Sequence, residues 1–220
     1  MQSINKNLSI NEMLKINRAI YQVPDDRLYD LEDMFYYHQK WLLRYTDDKK
    51  NQKIKEATKN LMVALAWYLS IIDRFKINLQ QVLAKRYAYK CPYCLEIPCS
   101  CIRGIKKVAL KTGRPVSGTP QDVMGWQNMI KKIYPIDRAE FKNLEILRSQ
   151  DFFHQSFRNF RRSSAKKNLH DTEIRSANYF VAILKTANNL SINLSEEYQR
   201  LFSKGCFICH QTPCECFYIE

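Results

Sequence analysis

Glycine is scarce in this chain of 220 residues: there are five, and three of them (Gly104, Gly113 and Gly118) fall between positions 102 and 118. So few points of backbone freedom, gathered in one place, exclude a fold rich in tight turns and argue for long helices. No apolar run reaches the roughly 18 residues a membrane-crossing helix needs, and the opening MQSINKNLSI lacks a secretory signal pattern. The expectation is a soluble, cytoplasmic protein with no membrane partner. A Ser-His-Asp set, a Gly-rich phosphate loop and a dinucleotide fingerprint are also missing, which removes the commonest motif-borne chemistries. Cysteine is absent outside two short segments.

Those two segments are the most informative part of the chain. Cys91, Cys94, Cys99 and Cys101 read CPYCLEIPCSC; Cys206, Cys209, Cys214 and Cys216 read CFICHQTPCEC. Both follow Cys-x2-Cys-x4-Cys-x-Cys with a proline (Pro98, Pro213) before the third cysteine, and they lie 115 residues apart. The first pair of sulfurs turns toward one ion, and the proline-stiffened spacer brings the second pair back around it. Four thiolates surround Zn2+ tetrahedrally at about 2.3 Å. The tight final Cys-x-Cys makes each site a short knuckle and not a full ribbon. An intracellular setting disfavours disulfides. Structural zinc at both sites is the favoured reading, with an iron–sulfur centre, a disulfide or a mixed site as the alternatives. Such a closed site has no open position for a catalytic water. His210, inside the second motif, is expected to point outward because four cysteines already fill the site.

The net charge of +13 is spread along the chain: +5 over residues 1–101, +5 over 102–118 and +3 over 119–220. Residues 102–118 carry Arg103, Lys106, Lys107, Lys111 and Arg114 and no acid. Arg158, Arg161, Arg162, Lys166 and Lys167 form a second cluster. Such charge either attracts phosphates or solvates a surface.

Hydrophobic periodicity predicts helices over about 9–22, 25–45, 52–75 and a short one after Asn78. Ser9 and Glu12 have capping-box spacing, and Leu61, Leu65, Tyr68, Leu69 and Ile72 make one apolar stripe. The second half repeats that order: helices over about 119–134, 137–162 and 171–190, a basic loop at 163–169, and a short helix capped by Asn193. Ile77-Asn78-Leu79 matches Ile192-Asn193-Leu194, and Tyr37-His38-Gln39 matches Phe153-His154-Gln155. The expected division is therefore a first unit at 1–101 with its knuckle at 91–101, a basic linker at 102–118, and a second unit at 119–220 with its knuckle at 206–216.

The stretch carrying Leu65-Ala66-Trp67-Tyr68-Leu69, Ile77-Asn78-Leu79, Lys85-Arg86-Tyr87 and CPYCLEIPCSC resembles the MazG-like nucleotide pyrophosphohydrolases. Ala187-Asn188, Leu190, Ile192-Asn193-Leu194 and CFICHQTPCEC carry the same resemblance more faintly. It implies an all-α fold made of two tandem MazG-like helical units, each closed by a tetracysteine zinc knuckle, and oligomers formed through helices. It further implies Mg2+ held by Glu-x-x-Glu and Glu-x-x-Asp on successive helices, cleaving a nucleoside triphosphate to monophosphate and pyrophosphate.

The chain departs from that pattern at the metal ligands. The aligned Glu-x-x-Asp positions hold Asn60 and Val63 in the first half and Arg175 and Asn178 in the second, with Lys59 or Ile174 just before. Upstream, Glu32 and Asp33 face Tyr36 at the partner position, and Arg148, Ser149 and Phe152 stand in the second half. Lys, Asn, Val, Arg and Phe cannot assemble the oxygen set that Mg2+ requires. Glu32, Asp33 and Glu56 are the remaining catalytic candidates, with Asp30 and Asp73 as further acids on the same helices; the bland reading is that all are exposed helix residues.

A pocket that exchanged carboxylates for Lys59, Asn60, Arg175 and Asn178 would suit an anion directly, with Arg158, Arg161 and Arg162 as a second anion-binding candidate. The aromatic runs Phe35, Tyr36, Tyr37, Trp41 and Tyr45, and Phe152, Phe153, Phe157 and Phe160, read as helix-packing core or dimer interface, or as stacking surfaces for bases. His38 and His154 read as packing residues. Sequence thus points to a catalytically inactive MazG-like protein that binds nucleotide or nucleic acid or serves as a scaffold subunit, alone as a homo-oligomer or in a larger protein assembly. The alternative is a metal-dependent pyrophosphohydrolase with displaced acids, in which Mg2+ would be needed.

Overall fold

A computed structural model describes residues 7–87, 89–101, 118–135 and 144–216, the side chain of Leu144 excepted. Among the described residues there are eight helices and no strand, and no helix is long and apolar enough to cross a membrane.

Helix α1 (Ile10–Leu28) opens on the Ser9/Glu12 capping box. It runs past Gln22, the expected end, and carries Pro24 inside it. Helix α2 (Leu31–Lys50) starts later than 25 because Asp30 and Asp33 cap it reciprocally: Asp33 N–H donates to Asp30 Oδ1 at 2.9 Å, and Asp30 N–H to Asp33 Oδ2 at 3.1 Å. Helix α3 (Ile54–Arg74) is buried on almost every side between Ala57 and Ile72, as a helix must be when α1 and α2 both pack on it. Helix α4 (Leu79–Tyr87) begins where Asn78 Oδ1 accepts from Gln81 N–H at 3.0 Å.

In the second half, Asp122 and not Thr119 caps α5 (Val123–Ile133), accepting from Gly125 N–H at 2.6 Å. Helix α6 (Leu144–Arg162) follows; its expected start, 137–143, lies outside the described residues. Helix α7 (Lys166–Leu190) takes in most of the expected basic loop. The Asn168 amide ties its first turn to the Ser163 carbonyl at 2.8 Å. Helix α8 (Leu194–Phe202) is capped by Asn193, whose Oδ1 accepts from Ser195 and Glu196 N–H at 3.0 and 3.3 Å.

The sequence repeat has a counterpart in the backbone. Lys76 and Ser191, 115 residues apart, are both left-handed (φ 54° and 56°) just past α3 and α7. Behind each, an N–H reaches back five residues: Ile77 to the Ile72 carbonyl at 3.2 Å, Ile192 to the Ala187 carbonyl at 3.1 Å. Both are Schellman ends, in which the 6→1 bond satisfies a carbonyl the helix leaves open.

The compact units do not follow the boundaries at 101 and 119. Unit 1 comprises residues 1–77 and 193–220; unit 2 comprises 78–192. The short helix and knuckle of each half thus belong with the three long helices of the other half: α8 packs on α3, and α4 on α7. The physical reason is that a nine-residue helix and a knuckle have no core of their own. Leu79, Leu83 and Tyr87 of α4, and Leu194, Tyr198 and Phe202 of α8, are buried only through such a seat. Of the expected linker, 102–117 lies outside the described residues.

The core of unit 1 is the predicted stripe Leu61, Leu65, Tyr68, Leu69 and Ile72 against Phe35, Leu42 and Tyr45. His38 is buried there, its Nδ1 2.8 Å from the Ala64 carbonyl, which is a packing role. In unit 2, Phe153 stacks on Tyr179 (6.2 Å between centroids, 9° between planes) beside buried Phe157 and Phe180. His154 stacks on Phe157 at 6.3 Å.

Candidate metal centres and an aromatic cavity

In each knuckle the four sulfurs lie within 4.8 Å of one another. In the first, Cys91–Cys99 is 3.4 Å, Cys91–Cys101 3.7 Å and Cys94–Cys99 3.9 Å. In the second, Cys206–Cys216 is 3.6 Å and Cys209–Cys214 3.9 Å. Sulfurs about 2.3 Å from a central ion would stand about 3.8 Å apart at tetrahedral corners. All eight cysteines are free thiols and none is in a disulfide. Both clusters therefore have the donor set and size for a metal ion. His210 is exposed and outside the cluster.

The two knuckles share one backbone course. Cys91 N–H donates to the Glu96 carbonyl (3.3 Å) and Leu95 N–H to the Cys91 carbonyl (2.9 Å). Cys206 to Gln211 (3.0 Å) and His210 to Cys206 (2.9 Å) repeat those bonds. Leu95 and His210 are both left-handed, at φ 63° and 58°, and the peptides before Pro98 and Pro213 are both cis. Gly205 (φ 99°) has no room for a side chain, since a Cβ would lie 2.6 Å from the Gln211 carbonyl oxygen.

Each knuckle is anchored by an Ile-Tyr pair on the first long helix of its unit. Pro24 has no N–H to give the carbonyl four residues back, and that carbonyl, on Ile20, accepts instead from Cys214 N–H at 2.7 Å. Pro135 follows the end of α5, and the orphaned Ile133 carbonyl accepts from Cys99 N–H at 2.8 Å. The next residue supplies a phenol: Tyr134 O–H donates to Cys91 Sγ at 3.6 Å, and Tyr21 lies beside Cys206. Burial pushes both phenols up, so they stay protonated, and Tyr134 donates toward sulfur as outer partners do around metal ligands. The only sequence trace of these anchors is Ile-Tyr with a proline close behind, at 20–24 and 133–135.

The thiols are unequal. Burial opposes ionisation of Cys94, but the backbone N–H groups of Glu96 and Ser100 outweigh it and bring the thiol down to about 6. Cys209 is brought to about 7 in the same way by Glu215 and Gln211. Burial pushes Cys99 up to about 12 and raises Cys214 further. Ion binding has to displace those protons, which couples metal affinity to pH.

The residues at the aligned hydrolase positions have structural partners. Asn60 is buried and donates to Asp48 Oδ2 at 2.7 Å. Exposed Lys59 sits over the Phe207 ring, 5.6 Å from its centroid. Arg175 pairs with Asp171 (3.4 Å) and lies over Phe152 at 5.3 Å. Asn178 Oδ1 accepts from Arg86 Nε and Tyr87 O–H, both at 2.8 Å, and so helps seat α4. Arg158, Arg161 and Arg162 are exposed on the last turns of α6. Asp33 is spent in the α2 cap, Glu56 is exposed, Glu32 is half-buried, and Asp73 pairs with Arg18 and Lys76. Among the described residues, the two cysteine clusters are the groups of three or more metal-ligating side chains that come together.

Unit 1 contains a cavity of about 240 Å³ between α1, α2, α3 and the second knuckle. Six rings line it: Tyr21, Tyr29, Tyr37, Trp41, Trp67 and Phe207. Tyr37 and Trp67 stack at 5.1 Å, Tyr29 meets both edge-on, and Trp41 meets Phe207 edge-on at 5.6 Å. Three cations rest on these rings: Lys40 over Tyr37 (5.6 Å), Arg44 over Trp41 (4.5 Å) and Lys59 over Phe207. A buried hydrogen-bond chain ends at the wall. Tyr198 O–H donates to Asn17 Oδ1 (3.0 Å) and Asn17 Nδ2 to Ser70 Oγ (2.8 Å), and the Ser70 hydroxyl lies beside the Asp25 carboxyl. None of Asn17, Asp25, Ser70 and Tyr198 carries a sequence signal of its own, because the four are drawn from three helices.

Burial pushes the Asp25 carboxyl up to about 6, against the pull of Ser70 and Arg74. An acid raised in the folded state gives its full stability below the unfolded value, near 3.8, and loses it as pH climbs to about 6. Asp25→Asn is therefore expected to match the wild type below pH 4 and to exceed it by about 2–3 kcal/mol above pH 6. Urea midpoints across that range check this; a pH-independent difference would refute it.

Comparison with protein-family models, with curated proteins and with solved structures finds no match to this chain.

Proposed function

We propose that the protein is a catalytically inactive pair of MazG-like units that binds a nucleotide or nucleic acid, and that both knuckles hold structural zinc in a cytoplasmic protein. The carrying observation is the unit 1 cavity: stacking rings within, cations on those rings outside, and a size below the roughly 300–1,000 Å³ of sites that enclose a drug-sized ligand. That layout suits a flat base inside with phosphate toward Lys40, Arg44 and Lys59. The loss of carboxylates at the aligned positions, and the structural partners their replacements have taken, support the inactive reading. A scaffold role within a larger assembly or homo-oligomer is compatible with the same binding.

One observation favours the alternative, a hydrolase with displaced acids. Asp25, Asp26 and Asp73 line a second cavity of about 250 Å³ in unit 1. Arg18, Arg74 and Lys76 line it too, and Asp26 and Asp73 are paired with them, so the charge a divalent cation would supply is already present. Two assays decide. Calorimetric titration with nucleotides and oligonucleotides at low salt is expected to show binding. A triphosphate panel with Mg2+ or Mn2+ is expected to release no pyrophosphate. Turnover abolished by Asp73→Asn or Glu56→Gln would establish the hydrolase instead, and metal analysis is expected to give two zinc ions per chain.

A further inference from the structure

We propose that the unit 1 cavity selects a guanine base, with the Asp25 carboxylate accepting from its two adjacent donors, the ring N1–H and the 2-amino group. This rests on the nucleotide-binding reading above and names the base.

Three observations narrow the ligand. First, Tyr198 donates to Asn17 and Asn17 to Ser70, whose hydroxyl lies beside the Asp25 carboxyl in the cavity wall. An ionised Asp25 carboxylate has only acceptors to offer a ligand. A ligand edge of two neighbouring donors suits it, as the bidentate pairing of carboxylates with planar donor pairs shows. Guanine presents such an edge. Adenine and cytosine pair a donor with an acceptor, and uracil flanks one donor with two acceptors, so each would set a lone pair against a carboxylate oxygen.

Second, among the described residues the wall contains no lysine or arginine, so phosphate is not favoured inside. The cations instead rest on Tyr37, Trp41 and Phe207. An organic cation, the other ligand that aromatic rings and one carboxylate attract, would have to enter beside all three charges. A neutral base with its phosphate outside avoids that repulsion.

Third, the feature belongs to one unit and not to the repeated architecture. At the 115-residue offset, Trp67 and Ser70 correspond to Ala182 and Lys185. Lys185 pairs with Glu145 and lies over Tyr134 at 5.0 Å. Unit 2 thus has a small residue where unit 1 has a ring, and an ion pair where unit 1 has the Ser70 hydroxyl beside Asp25.

The test is titration of the full-length, metal-loaded chain with GMP, IMP, AMP, CMP and UMP, read by calorimetry or tryptophan fluorescence. The expected order is GMP tightest, IMP intermediate because it lacks the 2-amino group, and AMP at least about tenfold weaker than GMP. Asp25→Asn, with helicity and metal content unchanged, is expected to remove the GMP preference and favour AMP, since an amide matches a donor–acceptor edge. If GMP and AMP bind within about threefold, guanine selection is wrong while nucleotide binding stands. If none of the five binds and oligonucleotides also fail, both readings fall. Should Asp25→Asn not fold, the GMP, IMP and AMP series on the wild type still decides.

Discussion

Replacing Cys206 with serine is expected to release one of the two proposed metal ions and to destabilise the N-terminal helices, 130 or more residues away in sequence. The second knuckle is held by Cys214 N–H on the Ile20 carbonyl and by Phe207 packed edge-on against Trp41 and Phe202. Without the ion, the three remaining thiols have no reason to stay gathered, and the hydroxyl at buried position 206 is left unliganded in the wall. Losing a structural metal ranks with the largest single-site effects, on the order of 4 kcal/mol or more. Metal content should fall from two ions to one, with a lower unfolding temperature for unit 1. Cys91→Ser should do the same to unit 2. Retention of both ions, or an unchanged transition, would contradict this.

Cutting the chain between its halves is the second large effect expected. Fragment 1–101 would carry α1–α3 without α8 and the second knuckle, and α4 and the first knuckle without α7. Leu79, Leu83 and Tyr87 would lose their cover, as would the face of α3 that receives α8. Three fully buried large side chains are worth about 5–9 kcal/mol of burial, comparable with a whole domain's stability. Fragments 1–101 and 119–220 are therefore expected to be poorly folded alone and to recover helicity and two ions when mixed. Fragment 78–192, which is unit 2 in one continuous piece, is expected to fold alone with one ion. Circular dichroism and metal analysis check all three. Independent folding of 1–101 and 119–220, one ion each, would overturn the exchange.

Much of the local structure was legible in the residues. Ser9, Asn78 and Asn193 cap the helices their positions predict, because capping depends on neighbours within one turn. The stripe from Leu61 to Ile72 is core, and the eight cysteines form two clusters because short spacers leave little choice. Pro24 misled: it reads as a helix boundary, yet the Ile20 carbonyl it leaves open is satisfied by Cys214, so α1 continues. The exchange of α4 and α8 was illegible for a different reason. An offset of 115 residues is the same whether a short helix seats on its own half or on the other. The choice is made by complementary surfaces such as Asn178 under Arg86 and Tyr87, which no period in the sequence encodes. The cavity was half legible: its aromatic residues stood out, but the chain from Tyr198 to Ser70 exists only once α8 lies beside α1 and α3.

Hydrogen exchange on Cys206→Ser tests the central claim, that each knuckle closes the helices of the opposite half. Loss of protection is expected in α1, α2 and α3, with α5, α6 and α7 unchanged. Loss confined to α7, the helix that precedes α8 in the chain, with α1–α3 still protected, would contradict it.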